Sequence, residues 1–102
     1  MALKQNWLSK ARADFNDTLS YILEEFGKSS SEKFFADVSD TIDMLRVFPE
    51  AGPKYKNVYY HGKEVRVFHM KRSSIIYCHD EKTLYVLAFW NNRSAGITVL
   101  ED

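Results

Sequence analysis

Residues 8–49, LSKARADFNDTLSYILEEFGKSSSEKFFADVSDTIDMLRVFP, carry one apolar period through two consecutive segments. In the first, Leu8, Ala11, Phe15, Leu19, Ile22 and Phe26 recur every three or four residues while Lys10, Asp14, Asp17 and Glu24 fall on other faces. That is the pattern of an amphipathic helix. Ser9 is placed to cap its start, and Gly27 tolerates the left-handed geometry that ends a helix. Ser29-Ser30-Ser31 then offers capping hydroxyls to a second helix, with Phe34, Phe35, Val38, Ile42 and Leu45 as its apolar stripe and Glu32, Asp37, Asp40 and Asp43 on its polar side. Phe48-Pro49 stops it, because proline disfavours helical geometry in the residue before it. So short a linker makes the two helices an antiparallel hairpin, and their shared apolar side needs a cover.

The cover lies downstream, where the period changes. After the turn-rich link Pro49-Glu50-Ala51-Gly52-Pro53, Val65, Val67 and His69 alternate with Arg66, Phe68 and Met70, as in a strand with one buried face. His61-Gly62 predicts a turn before this strand and Ser73-Ser74 another after it. The apolar run Ile75–Cys78 follows, and Asp80-Glu81-Lys82 separates it from Thr83–Trp90, whose nearly continuous apolar character predicts a central strand buried on both faces. Leu3–Trp7 is expected to add an N-terminal edge strand. The fold class is therefore α+β: an antiparallel two-helix hairpin packed on a three- to four-stranded antiparallel sheet, with residues 1–102 forming a single domain.

Composition narrows the function classes. A 45% hydrophobic and 15% aromatic content with four Gly and two Pro describes an ordered globular chain. Cys78 is the only cysteine, which excludes an internal disulfide and suits a reducing compartment; its place in an apolar run reads as a small buried side chain rather than a reactive thiol. No run approaches the roughly 20 apolar residues that span a bilayer, and Met1-Ala2-Leu3-Lys4-Gln5-Asn6 has no signal-peptide hydrophobic segment, so no membrane partner and a cytoplasmic location are expected. His61, His69 and His79 lie in three segments without ligand spacing, and no Gly-rich phosphate loop occurs, so neither a metal nor another cofactor is expected.

The zero net charge hides an asymmetry: residues 1–50 hold 6 basic and 9 acidic side chains, residues 51–102 hold 8 and 5. Lys54, Lys56, Lys63, Arg66, Lys71 and Arg72 fall within one stretch beside a single acid, Glu64, interleaved with Tyr55, Tyr59, Tyr60, His61 and Phe68. Such a mixture neutralises phosphates and stacks bases. It is equally the dress of an exposed edge strand, where lysines prevent unwanted pairing.

The element order, together with Trp7-Leu8-Ser9-Lys10-Ala11-Arg12-Ala13-Asp14-Phe15, resembles the opening of toxins in the RelE/ParE superfamily of type II toxin–antitoxin modules. Tyr21-Ile22-Leu23-Glu24-Glu25-Phe26-Gly27 is similar to the end of their first helix, and Leu45-Arg46-Val47-Phe48-Pro49-Glu50-Ala51-Gly52 to the end of their second with its Pro-x-x-Gly exit. Val65-Arg66-Val67, Ser74-Ile75-Ile76-Tyr77 and Leu84–Arg93 resemble the three closing strands and terminal arginine. The resemblance spans residues 3–93. It implies a small cytoplasmic toxin that inhibits growth, is neutralised by a cognate antitoxin and forms a hetero-oligomer with it. Superfamily members divide between ribosome-dependent endoribonucleases that cut messenger RNA and inhibitors of DNA gyrase.

Cleavage of RNA by its own 2′-hydroxyl needs a base, positive charge on the phosphate and an acid for the leaving oxygen. On the ribonuclease reading Arg66, Arg72 and Arg93 stabilise the transition state and Tyr77, or else Tyr85, His69 or His79, transfers a proton or stacks on a base, whereas a histidine within a strand is more often a packed or solvated residue than a catalyst. Lys54, Lys56, Lys63, Lys71 and Trp90 are the candidates for holding nucleic acid or an acidic antitoxin. Ribonuclease members often carry a His-x-x-Arg pattern near the C-terminus; here Trp90 takes the histidine position of Trp90-Asn91-Asn92-Arg93, and indole cannot transfer a proton. With the long first helix, this favours the ParE-like branch, a gyrase-type topoisomerase as target and action by binding. The alternatives are a RelE-like ribonuclease and a relative without toxicity. Trp7, Phe35, Tyr59, Tyr60 and Trp90 supply aromatic surface shared between core and a partner interface.

Overall fold

A computed structural model describes residues 2–91. The chain runs β1 (Lys4–Trp7), α1 (Ser9–Phe26), α2 (Lys28–Val47), β2 (Lys54–Tyr60), β3 (Lys63–His69), β4 (Ser73–His79) and β5 (Thr83–Asn91). The five strands form one sheet in the order β1-β5-β4-β3-β2. Successive strands β2 to β5 pair antiparallel. The expected edge strand is present, but it runs parallel to β5, with Lys4 opposite Thr83 and Trp7 opposite Val86. Parallel pairing follows from connectivity: the whole helical hairpin and three strands separate β1 from β5, so no tight turn constrains their direction.

One residue joins the helices. The Gly27 N–H closes α1 on the Leu23 carbonyl and its own carbonyl accepts from Ser31, at a φ of 94° that L side chains rarely adopt. Because this glycine ends one helix and starts the next, Ser29, Ser30 and Ser31 fall inside the first turn of α2, and their expected capping role is not used. Ser9 is likewise helical, with Leu8 at the cap position and no side-chain cap.

The helices cover one face of the sheet. Ala11, Val38, Ile42 and Leu45 from the hairpin meet Ile75, Tyr77, Leu84, Val86 and Phe89 in a common core, with Trp7, Phe15 and Phe34 packed at its margin. Phe15 is the hub, its ring 5.3 Å from Trp7, 5.4 Å from Phe89 and 6.0 Å from Phe34. At the other end of α2, Arg46 accepts a hydrogen bond from the Leu3 N–H through its carbonyl and donates its Nε to the Leu3 carbonyl, tying the helix to the start of β1.

Two strand expectations are corrected. Ser73 and Ser74 do not turn; they are buried residues of β4, and the turn falls on Lys71-Arg72. The strand buried on both faces is β4, in the middle of the sheet, with six consecutive buried residues. In β5 buried and half-buried residues alternate up to a bulge opposite Ile76 and Tyr77. The apolar character of Tyr85, Leu87 and Trp90 thus belongs to the sheet's second face rather than to the helix-covered core. There Val65, Val67, Ile76 and Ala88 are buried beneath Tyr55, Tyr60, Leu87 and Trp90.

Candidate functional site

The basic stretch does not form one face. The Lys54–Arg72 cluster follows β2, crosses to β3 and ends at the β3–β4 turn, so Lys63 opens the seven-residue β3 and Lys71 lies past its far end, with about 20 Å of strand between them. Lys54 and Lys56 sit on β2, the outer edge of the sheet, whose pairing with β3 is interrupted between Lys54 and Tyr59 and whose Lys56 has a positive φ of 49°. Bulging and lysines are both devices that discourage an edge from pairing with another chain. Lys54 also binds Glu64 at 2.7 Å. Their hydrogen bond, reinforced by charge, raises the Lys54 pKa, and the same bond holds the Glu64 carboxyl below its ordinary value. Lys63 lies 5.2 Å above the Tyr85 ring on the second face.

Arg66 and Tyr77 point toward the helix-covered side, where β2 and β3 extend beyond the helices and the exit turn of α2 fills the space. The Tyr77 hydroxyl donates to the Pro49 carbonyl at 2.7 Å and accepts from the Gly52 N–H at 2.9 Å. Arg66 Nη1 donates to the Gly52 carbonyl at 2.8 Å, and Nη2 stands 3.7 Å from Glu64. Both residues are therefore committed to the Pro49–Pro53 turn. Burial pushes the Tyr77 pKa up, against the opposing Gly52 hydrogen bond, so the phenol stays protonated. A fully buried hydroxyl with its donor and acceptor capacity engaged is poorly placed to exchange a proton with an RNA.

The remaining proton-transfer candidates are dispersed. His61 occupies the β2–β3 turn with its ring against Tyr60, His69 Nδ1 lies 2.8 Å from the buried Ser74 hydroxyl, and His79 stands near the Asp80 carbonyl at 3.4 Å. Tyr85 directs its hydroxyl to Asp80 at 3.2 Å. Asp80 also accepts from the N–H groups of Lys82 and Thr83, which lower its pKa and fix the β4–β5 turn. Among the described residues no group of His, Cys, Asp and Glu is arranged to hold a metal ion, and no helix is long and apolar enough to cross a membrane. Arg93 lies outside the described residues. Trp90, half-buried on the second face, packs edge-on against Tyr55 at 6.4 Å.

Arg72 and Lys71 have a different setting. They form the lip of a groove of about 330 Å³ between the tip of the helical hairpin and the β3–β4 turn, with Ile22, Phe26, Phe34 and Met70 as its apolar wall. A smaller recess next to it shares Ile22, Phe26, Phe34 and Arg72 and reaches Asn91. Phe26 remains 54% exposed and Leu23, one turn before it, 51%. In sequence Phe26 reads as the last member of a core stripe. It escapes burial because it stands at the hairpin tip opposite the β3–β4 turn residues Met70, Lys71 and Arg72 rather than over the packed face of the sheet, a placement that periodicity does not reveal.

Two helices over a sheet closed by four antiparallel strands and edged by a parallel N-terminal strand define a small α+β domain. The family model for the ParE toxin of the type II toxin–antitoxin system parDE matches residues 6–95, and the chain belongs to that family. Among solved structures, a chain described as from the chromosomal ParDE toxin–antitoxin system of P. aeruginosa superposes with a TM-score of 0.68 at 18% identity, covering 88% of this chain and 96% of that one. Among curated proteins none matches the sequence.

Proposed function

We propose that the chain is the toxin of a type II toxin–antitoxin module, that it arrests growth by binding a gyrase-type topoisomerase, and that a cognate antitoxin neutralises it. The observation that carries this reading is the ParE toxin family match over residues 6–95. The site geometry supports action by binding. Tyr77 and Arg66 are engaged by the Pro49–Pro53 turn, and Trp90 stands where ribonuclease relatives often carry histidine. The cations of the β2–β3 hairpin, exposed Lys54 and Lys56 and half-buried Lys63, would steer an acidic antitoxin, with Lys71 and Trp90 adding contacts at the turn and on the second face.

Two assays on the purified protein discriminate the target. Inhibition of gyrase supercoiling with translation intact is the expected result. Cleavage of messenger RNA in a translating extract, abolished by Arg72→Ala, would establish the ribonuclease instead. Expression of the chain without a partner is expected to stop growth, and unimpaired growth would sink both mechanisms. Charge reversal at Lys54, Lys56 and Lys63 should slow antitoxin association at low salt, where steering is strongest.

A further inference from the structure

The groove at the tip of the helical hairpin combines features that the rest of the basic stretch lacks. Lys54 and Arg66 are held by Glu64 and by the turn carbonyls, and Lys63 by the Tyr85 ring. Lys71 and Arg72 have no ion-pair or hydrogen-bond partner among the described residues, and both are exposed. Of the other charged residues lining the groove, Lys33 and Asp37 pair with each other at 3.8 Å. Among the described residues the two cations at the lip therefore stand uncompensated, beside an apolar wall of Ile22, Phe26, Phe34 and Met70.

An exposed phenylalanine and leucine at the end of an amphipathic helix bring no stability to an isolated domain, since burial is what makes apolar surface favourable. The groove, at the low end of the roughly 300–1,000 Å³ range of ligand sites, has room for one or two large side chains rather than an extended cofactor. Its paired requirements specify an occupant. An apolar side chain must enter between Phe26 and Met70, and carboxylates beside it in the same segment must face Lys71 and Arg72.

We propose that this groove is the anchoring site for a partner segment that projects one large apolar residue flanked by acidic residues, and that the segment belongs to the neutralising antitoxin. The inference rests on the reading of the chain as an antitoxin-regulated toxin. It adds a division of labour: the β2–β3 hairpin attracts the partner, and the hairpin-tip groove holds it. Apolar burial gives the slow dissociation of a tight complex, whereas rim charges chiefly set the rate of encounter.

The test uses the full chain, methyl-labelled, and two synthetic peptides followed by NMR: acetyl-Asp-Glu-Leu-Phe-Glu-Asp-amide and its neutral counterpart acetyl-Asn-Gln-Leu-Phe-Gln-Asn-amide. The acidic peptide is expected to shift the Ile22 and Met70 methyls and to bind at least fivefold more tightly than the neutral one. Lys71→Glu with Arg72→Glu, both exposed and harmless to packing, should weaken the acidic peptide at least tenfold at low salt and reverse the preference. Phe26→Ser should weaken both peptides alike. Shifts confined to other surfaces, equal affinities, or no binding would overturn the assignment. Growth arrest on expression without a partner is a separate readout: arrest without peptide binding removes the groove and keeps the toxin, and binding without arrest does the reverse.

Discussion

Tyr77 and Gly52 lie 25 residues apart and meet through a buried hydrogen bond of 2.9 Å, in which the Gly52 amide donates to the phenolic oxygen. The hydroxyl in turn donates a hydrogen bond to the Pro49 carbonyl at 2.7 Å. One side chain of the central strand thus satisfies two polar groups of the turn that ends the helical hairpin, and Arg66 completes the clamp from the neighbouring strand. Tyr77→Phe keeps the ring and its packing but strands both turn groups. Unmade hydrogen bonds of buried groups cost about 1–3 kcal/mol each, so a loss of about 2–3 kcal/mol is expected in urea denaturation. Growth arrest by the variant should persist at a temperature where it remains folded. Loss of arrest with unchanged stability would make the hydroxyl a chemical participant after all.

Gly52 is fixed by space rather than by φ. A Cβ there would lie 2.6 Å from the Val67 carbonyl oxygen and 2.8 Å from the Tyr77 hydroxyl, and the backbone oxygen cannot step aside because the Val67 N–H is itself tied to the Pro53 carbonyl. Gly52→Ala should therefore cost about 2 kcal/mol or more, as overpacking does. Combined with Tyr77→Phe, the loss should fall short of the sum by about 1 kcal/mol, since the second change removes one of the clashing atoms. Gly27→Ala is the contrast: nothing lies within 4 Å of the added methyl, and its cost is confined to a φ of 94°, about 1–2 kcal/mol of backbone strain.

The elements themselves are legible in the sequence because period is a local property. The spacing from Leu8 to Phe26 and from Phe34 to Leu45 yields both helices, and the alternation around Val65–Val67 yields β3. What stays hidden depends on neighbours. Ser73 and Ser74 have turn chemistry but are drawn into β4, where strands on both sides supply backbone partners. β2 is mostly exposed, so burial leaves only Tyr55 and Tyr60 to mark it. At the site, the run of cations from Lys54 to Arg72 is contiguous in sequence yet distributed by two turns over an edge, a face and a tip. Arg66 and Tyr77 read as site residues by type, and the tertiary hydrogen bonds that tie both to the turn are not visible in sequence.

Cys78 is buried on the inner strand β4, and burial pushes its thiol from an ordinary 9.0 up to about 11. The folded pKa exceeds the unfolded one, so the chain is stabilised in full below about pH 9 and loses this contribution as pH rises from there through 11. Denaturation midpoints measured from pH 8 to 11 should decline, and Cys78→Ala should flatten that decline. In the native protein at pH 8, alkylation by iodoacetamide should run far more slowly than in urea, at a rate that follows opening of the sheet. Rapid native labelling would show the thiol to be accessible and reactive.

Trp90 has a double assignment that a single substitution series separates. It shields the second-face cluster of Val65, Val67, Ile76 and Ala88 together with Tyr55, Tyr60 and Leu87, and among the described residues this cover is made of side chains, since both helices lie on the opposite face. Trp90→Ala uncovers that cluster and removes the partner of the Tyr55 ring, for an expected loss of about 2 kcal/mol, below the roughly 3–5 kcal/mol of a fully buried tryptophan because the ring is half-exposed. Trp90→Phe should restore most of the stability, as its ring covers the same floor with less area. A surface that also receives a partner imposes a second demand, the outward edge of the indole. If Trp90 contributes to antitoxin binding, Trp90→Phe will recover stability without recovering affinity, and titration calorimetry against the antitoxin reads that divergence directly. Parallel recovery of both would leave Trp90 as cover alone and place the interface on the cationic edges and the hairpin-tip groove.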